Sequence, residues 1–137
     1  MELLHGGARV FDPPPGRDIL VSPQHTFRHL ADAINTAFAR WDLSHLYAFT
    51  MADDTRIEIE PEDESDRPAS RTKLGRREQG EVFAYEFDFG DSWEHRCTVI
   101  ETGIDPEETY GDRPKSPVPV WGWGDLPDQY GRRDPDG

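Results

Sequence analysis

The most regular pattern in the chain runs from Thr26 to Trp41, where Phe27, Leu30, Ala31, Ile34, Ala37, Phe38 and Trp41 fall at offsets 0, 3, 4, 7, 10, 11 and 14. Apolar positions three and four residues apart share one face of an α-helix. Thr26 is a suitable N-cap and no Gly or Pro interrupts the run, so the spacing predicts a helix over Thr26 to Arg40. Four other segments carry a period of two instead. Leu46–Thr50 continues a row with His45, Tyr47, Phe49 and Met51 on one side, and Arg56–Ile59 alternates in the same way. Val82–Phe89 sets Phe83, Tyr85, Phe87 and Phe89 against Ala84, Glu86 and Asp88, and Trp93–Ile100 returns as its partner. Polar turns at Ala52–Thr55 and Gly90–Asp91 join these four into two hairpins. Ala8–Asp12 and Ile19–Val21 read as short extended pieces stopped by proline. The fold class predicted is α+β, a small antiparallel sheet packed against one main amphipathic helix.

Length and composition refine this picture. At 137 residues the chain is read as a single domain, 1–137, with a charged loop over 61–81 and an irregular C-terminal segment over 104–137 whose closing Arg132–Gly137 looks frayed. Only 34% of residues are hydrophobic, yet 11% are aromatic, which fits a small aromatic-rich core with long solvated segments. No run approaches the roughly 20 apolar residues that cross a bilayer, and the start at Met1 shows no basic-then-apolar signal. A cytoplasmic protein with no membrane partner is the expectation. The lone Cys97 offers no intramolecular disulfide and no thiolate zinc cluster; it is expected to be a small buried residue on the face of Phe87 and Trp93.

Charge narrows the partners. The net charge of -13 repels phosphate backbones, so direct binding of duplex DNA is not expected and a protein partner is. Asp53 to Asp66 holds eight acids and one base, a local net of -7, and the basic residues Arg67, Arg71, Lys73, Arg76 and Arg77 follow it. Such a pair of blocks without apolar periodicity is read as a solvated loop. Nothing in the sequence sets an oligomeric state.

Candidate chemistry gathers at Phe87-Asp88-Phe89-Gly90-Asp91-Ser92-Trp93-Glu94-His95. Asp88, Asp91 and His95, joined by His45, are residue types that bind a divalent ion, which would suit a metal-dependent hydrolase. The alternative for the same residues is structural: an Asp at a hairpin turn accepts backbone N–H bonds, and a strand His sits at a core edge. Structural roles are preferred, with no metal and no cofactor assigned. Trp93 and Tyr47 complete the candidate functional cluster. Ser92 has no strand–turn–helix elbow around it, and no glycine-rich phosphate loop is present. Trp121 and Trp123, with Tyr130 nearby, are read as packing over the sheet, the alternative being an exposed aromatic surface.

Two segments, Trp41-Asp42-Leu43-Ser44-His45-Leu46-Tyr47-Ala48-Phe49 and Tyr85 through His95, resemble the plasmid Ri ORF-three-like family, whose members are also labelled insertion-element passenger proteins of TnpR type. The resemblance covers roughly Asp18 to Glu101. It implies an antiparallel sheet against a helix; the TnpR-type label does not make the chain a resolvase, for which the sequence shows no catalytic serine motif. The Pro-Pro-Glu-Asp-Cys-Gly-Gly type of segment common in the family is replaced here by Trp121-Gly122-Trp123-Gly124-Asp125-Leu126-Pro127-Asp128-Gln129-Tyr130. The expected function is that of a mobile-element-associated, non-enzymatic module that binds a macromolecule or acts as an accessory; the alternative is the metal-dependent hydrolase.

Overall fold

A computed structural model of the chain describes residues 1–61 and 66–130. Glu62 to Ser65 of the charged loop lie outside the described residues, as do residues 131–137, which include the closing Arg132–Gly137. In chain order the elements are β1 (Glu2–Gly6), β2 (Arg9–Val10), β3 (Gly16–Leu20), α1 (Phe27–Ala37), β4 (Tyr47–Thr50), β5 (Arg56–Glu58), β6 (Arg67–Pro68), β7 (Val82–Phe87), β8 (Trp93–Thr98), α2 (Pro106–Tyr110) and β9 (Val118–Trp123). Among the described residues the nine strands form one sheet in the order β6-β5-β4-β7-β8-β1-β3-β9, with β2 paired to β1. Neighbours run antiparallel except β5 and β6. The expectation of a small sheet is therefore corrected to a large one, and α1 is joined by the five-residue α2. Among the described residues no helix is long and apolar enough to cross a membrane.

The added strands come from stretches without alternation. β1 contains the adjacent pair Leu3-Leu4, and β9, inside the segment read as irregular, contains Pro119 and Gly122. Proline lacks a ladder donor and is tolerated on an edge, which is where β9 sits, paired to β3 on one side. Glycine is needed where these strands meet tryptophan: a Cβ on Gly6 would overlap the Trp93 ring, and one on Gly16 the Trp123 ring.

α1 begins as its spacing predicts. The Thr26 side chain accepts from the His29 N–H, and the His29 ring accepts from the Thr26 N–H, each at 3.2 Å, a reciprocal cap with histidine in the usual place of Glu or Gln. The helix ends at Ala37, earlier than the spacing predicts, because Ala39 turns left-handed at φ 58°. The turn carries Trp41 out of the apolar face, leaving it 51% exposed, and brings Arg40 inward. A similar reversal shortens β7: Asp88 at φ 62° ends the strand at Phe87, so Phe89 is exposed rather than aligned with Phe83, Tyr85 and Phe87.

The core lies between α1 and one sheet face and is built from cross-strand rows. Phe49, Tyr85, His95 and Leu3 are successive partners across β4, β7, β8 and β1, and Tyr47, Phe87 and Trp93 form the next row. Phe27 of α1 meets Phe49 edge-on at 5.1 Å between ring centres, and Phe38 meets His95 at 5.1 Å. Such aromatic pairs contribute about 0.5–1.5 kcal/mol each beyond the area they bury. Cys97 is buried on this face, as expected, where burial raises its thiol pKa to about 12. His95 is not at a core edge but fully inside, 1% exposed.

Arg40 places a full positive charge in this mainly apolar and aromatic interior. It is 7% exposed, and its guanidinium carbon stands 5.4 Å from the Phe38 ring, 5.8 Å from Phe87 and 5.4 Å from Trp93. Burial lowers its pKa to about 10, so it remains a cation at neutral pH. The negative faces of three rings replace part of the hydration it gives up. Its charge in turn adds to burial in holding His95 neutral.

Two stability effects arise from this core. Arg40→Lys keeps the charge but substitutes a compact, strongly hydrated ammonium for a stacking guanidinium, and urea unfolding should show a loss of about 1–2 kcal/mol; Arg40→Ala should lose about 2–4 kcal/mol. The His95 pKa is depressed well below its ordinary 6.5, mainly by burial. The unfolded chain therefore takes up a proton that the folded one refuses. Stability from this group is complete above about pH 6.5 and declines as pH falls below it. His95→Phe should flatten that decline in unfolding experiments run between about pH 7.5 and 5.

Candidate functional site

A cleft of about 400 Å³ opens beside α1. Arg28, Asp32 and Asn35, at i, i+4 and i+7, form its helical wall; Tyr47 of β4 and Phe87 of β7 line the sheet side. The connection after α1 adds Leu43 and His45, and the segments after β5 add Ile59, Glu60 and Ser70. The lining thus mixes apolar surface with acids, one arginine and hydrogen-bonding groups. The Asn35 side-chain oxygen accepts from the buried Tyr85 hydroxyl at 3.1 Å, which ties the helical wall to the core. Tyr47 is held protonated, its pKa raised to about 12 by burial and by Asp32, with Arg28 pulling the other way. A second, flatter depression of about 310 Å³ lies on the opposite sheet face, around Thr50, Ala84 and Arg96.

His45 belongs both to the cleft and to a polar network at its rim. Its Nε2 lies 2.6 Å from the Tyr130 hydroxyl and 3.4 Å from Asp42 Oδ2, while its Nδ1 lies 3.7 Å from Asp88 Oδ1. The Tyr130 hydroxyl donates to Asp42 Oδ2 at 2.6 Å, so its remaining lone pairs face the imidazole. Hydrogen bonds from Ser44 and Tyr130 depress the Asp42 pKa far below the ordinary carboxylate range, and Asp42 in turn raises Tyr130 to about 12. Gln129, 3% exposed, fixes this corner: its Oε1 accepts from the Trp41 and Asp42 N–H groups, and its Nε2 donates to the Asp42 carbonyl. Trp41 and Tyr130 meet edge-on at 5.1 Å. The C-terminal segment is thereby fastened to the loop after α1.

The hairpin that links β7 and β8 uses its polar residues differently from one another. Asp88 Oδ1 accepts from the Gly90 N–H at 3.1 Å and more weakly from Asp91 at 3.4 Å, while the Ser92 N–H donates to the Asp88 carbonyl at 2.6 Å. The left-handed φ values of Asp88 and Ser92, 62° and 53°, close the turn. The Ser92 hydroxyl donates to Glu86 at 2.6 Å. The Asp91 carbonyl accepts from the Gly7 N–H at 2.8 Å, anchoring the hairpin to the β1 turn.

Of the residues singled out from sequence, the structure brings together His45, Tyr47 and Asp88 at or beside the cleft. It takes Trp93 and His95 away from that surface into the core around Arg40. Asp91 stands at the hairpin turn, half-buried. Among the described residues no group of three or more His, Cys, Asp and Glu is placed to hold a metal ion, so the candidate set of Asp88, Asp91, His45 and His95 does not converge. Trp121, 69% exposed, does not pack as read, whereas Trp123 lies over Gly16 and covers part of the sheet. Sequence reading missed Asp42, Gln129 and the pairing of Tyr130 with His45, since each of these contacts spans 85 or more residues of chain. Arg28, Asp32 and Asn35 were visible only as the polar side of the helix.

The turn geometry makes Asp88, rather than Asp91, the carboxylate that holds the hairpin. Asp88→Ala should cost about 1–2 kcal/mol in chemical unfolding, from lost acceptance of the Gly90 N–H and from a β-carbon at positive φ that no side-chain bond supports. Asp88→Asn should recover most of that loss, and Asp91→Ala should stay within about 0.5 kcal/mol of the parent.

Comparison with known proteins agrees with this architecture. No curated protein sequence matches the chain. A crystal structure of a protein of unknown function from Methanosarcina mazei Go1 is similar, with a TM-score of 0.61 at 21% identity, over 89% of this chain and 70% of that one. At that identity the likeness extends to the fold. The family model described as plasmid pRiA4b ORF-3-like protein matches residues 9–127, which reaches beyond the two segments that carry the sequence resemblance and includes β9. The chain belongs to the plasmid pRiA4b ORF-3-like family.

Proposed function

We propose that this protein is a non-catalytic accessory module, of the mobile-element-associated type that the family's plasmid-derived name suggests, which binds a partner protein by taking a basic segment of it into the cleft beside α1. The observation that carries this reading is the cleft itself: about 400 Å³, with Asp32 and Glu60 in its lining and apolar contact from Leu43, Ile59 and Phe87. Small polar and apolar groups mixed in a concave surface suit a peptide side chain with a charged tip and an apolar stem. The field of a chain carrying -13 charges favours cations at that opening and opposes duplex DNA. The residues that suggest a hydrolase centre in the sequence are accounted for by the turn, the core and the rim, which favours binding over hydrolysis at the hairpin.

Fluorescence anisotropy with short labelled peptides tests the reading. A Lys/Arg-containing peptide with one neighbouring apolar residue should bind, its affinity should fall as salt is raised, and Asp32→Ala with Glu60→Ala should weaken it about tenfold, roughly 1.4 kcal/mol. A labelled duplex should show a dissociation constant no tighter than about 10⁻⁴ M at physiological salt. Equal binding of an acidic peptide, or tight salt-sensitive binding of the duplex, would contradict the proposal.

A further inference from the structure

Three polar atoms in the core have no hydrogen-bond partner among the described residues: Arg40 Nη1, Trp93 Nε1 and His95 Nε2. The three residues are all more than nine-tenths buried, at 7%, 1% and 1% exposed. They are also neighbours. Trp93 and His95 alternate on one strand and so share a face of β8, the Arg40 guanidinium stands 5.4 Å from the Trp93 ring, and both Arg40 and His95 lie against Phe38, at 5.4 and 5.1 Å.

Hydrogen-bond chemistry fixes what each atom offers. His95 Nδ1 lies 3.0 Å from the Tyr85 carbonyl, which can only accept, so Nδ1 carries the hydrogen of a neutral ring and Nε2 presents a lone pair. Neutrality agrees with the depressed His95 pKa, caused first by burial and then by Arg40. Arg40 Nη1 and Trp93 Nε1 are donors only. The set therefore contains two donors and one acceptor, facing an interior in which an unmade bond is costly.

We infer that Arg40, Trp93 and His95 form a binding site for one internal water molecule, which accepts from Arg40 Nη1 and Trp93 Nε1 and donates to His95 Nε2. Three hydrogen bonds to otherwise unpartnered buried groups are the usual complement of such a water. A bare anion does not match the set, because it has no hydrogen for the His95 lone pair. The bound water ties the turn that ends α1 to the centre of β8, and so links the cleft-bearing loop after Arg40 to the sheet.

The test uses the whole chain and water itself as the probe. A high-resolution crystal structure of the wild-type protein should show a solvent peak within about 3.2 Å of all three atoms. Oxygen-17 magnetic relaxation dispersion should count one long-lived water fewer in Arg40→Met than in wild type. Nitrogen-15 spectra of wild type should show His95 protonated at Nδ1 with Nε2 accepting a hydrogen bond. Where Arg40→Met does not fold, the two wild-type measurements decide. A site without the peak, a peak with the shape of a larger anion, pairing of the three atoms to protein groups instead, or an unchanged water count in a folded Arg40→Met would each overturn the inference.

Discussion

The enclosure of one cation by aromatic rings is the constraint on which this structure turns. Arg40 enters the interior with Phe38, Phe87 and Trp93 around its guanidinium. A buried charge is tolerable only where something replaces its hydration, and here the ring quadrupoles do so. Those rings come from the end of α1, from β7 and from β8, so the contact exists only when the helix is docked and the β7–β8 hairpin is in register. The left-handed turn at Ala39 that delivers Arg40 also releases Trp41 and the loop beyond it toward the cleft. Core and site thus share a single hinge of chain.

This dependence changes the meaning of the string from Phe87 to His95. Met as sequence, its carboxylates, serine and imidazole look like a chemical centre. In the fold Phe87 and Trp93 wall the cation, His95 sits beside them as a neutral ring, and Asp88 closes the turn by accepting backbone N–H bonds. The polar groups left at the surface belong to another set. His45, Asp42 and Tyr130 are joined at the rim of the cleft by the C-terminal segment, and Gln129 holds that segment with three backbone contacts.

Much of the architecture was legible because local pattern and tertiary packing agree. The period of 3.6 in α1 and of two in β4, β5, β7 and β8 is the imprint of one buried face on each, and all five elements form where that imprint lies. β1 and β9 left no such imprint. β1 carries adjacent leucines, and β9, exposed along most of its length, is held by its ladder to β3 and by Trp123 on Gly16. Arg40 was hidden for a different reason: charge predicts exposure, and nothing local reveals three rings gathered from separate elements. The cleft residues His45 and Tyr47 could be picked out as aromatic and titratable groups on one strand face. Their companions Asp42, Gln129 and Tyr130 depend on long-range closure, which no spacing encodes.

The central claim is that a cation sits inside the aromatic core, and nuclear magnetic resonance of the Arg40 side chain addresses it most directly. In this fold the Arg40 guanidinium protons should exchange slowly with solvent, and its side-chain resonances should be shifted by the ring currents of Phe38, Phe87 and Trp93. Rapidly exchanging Arg40 protons at the positions of a solvated arginine, in a protein whose α1 and sheet are otherwise intact, would contradict the account.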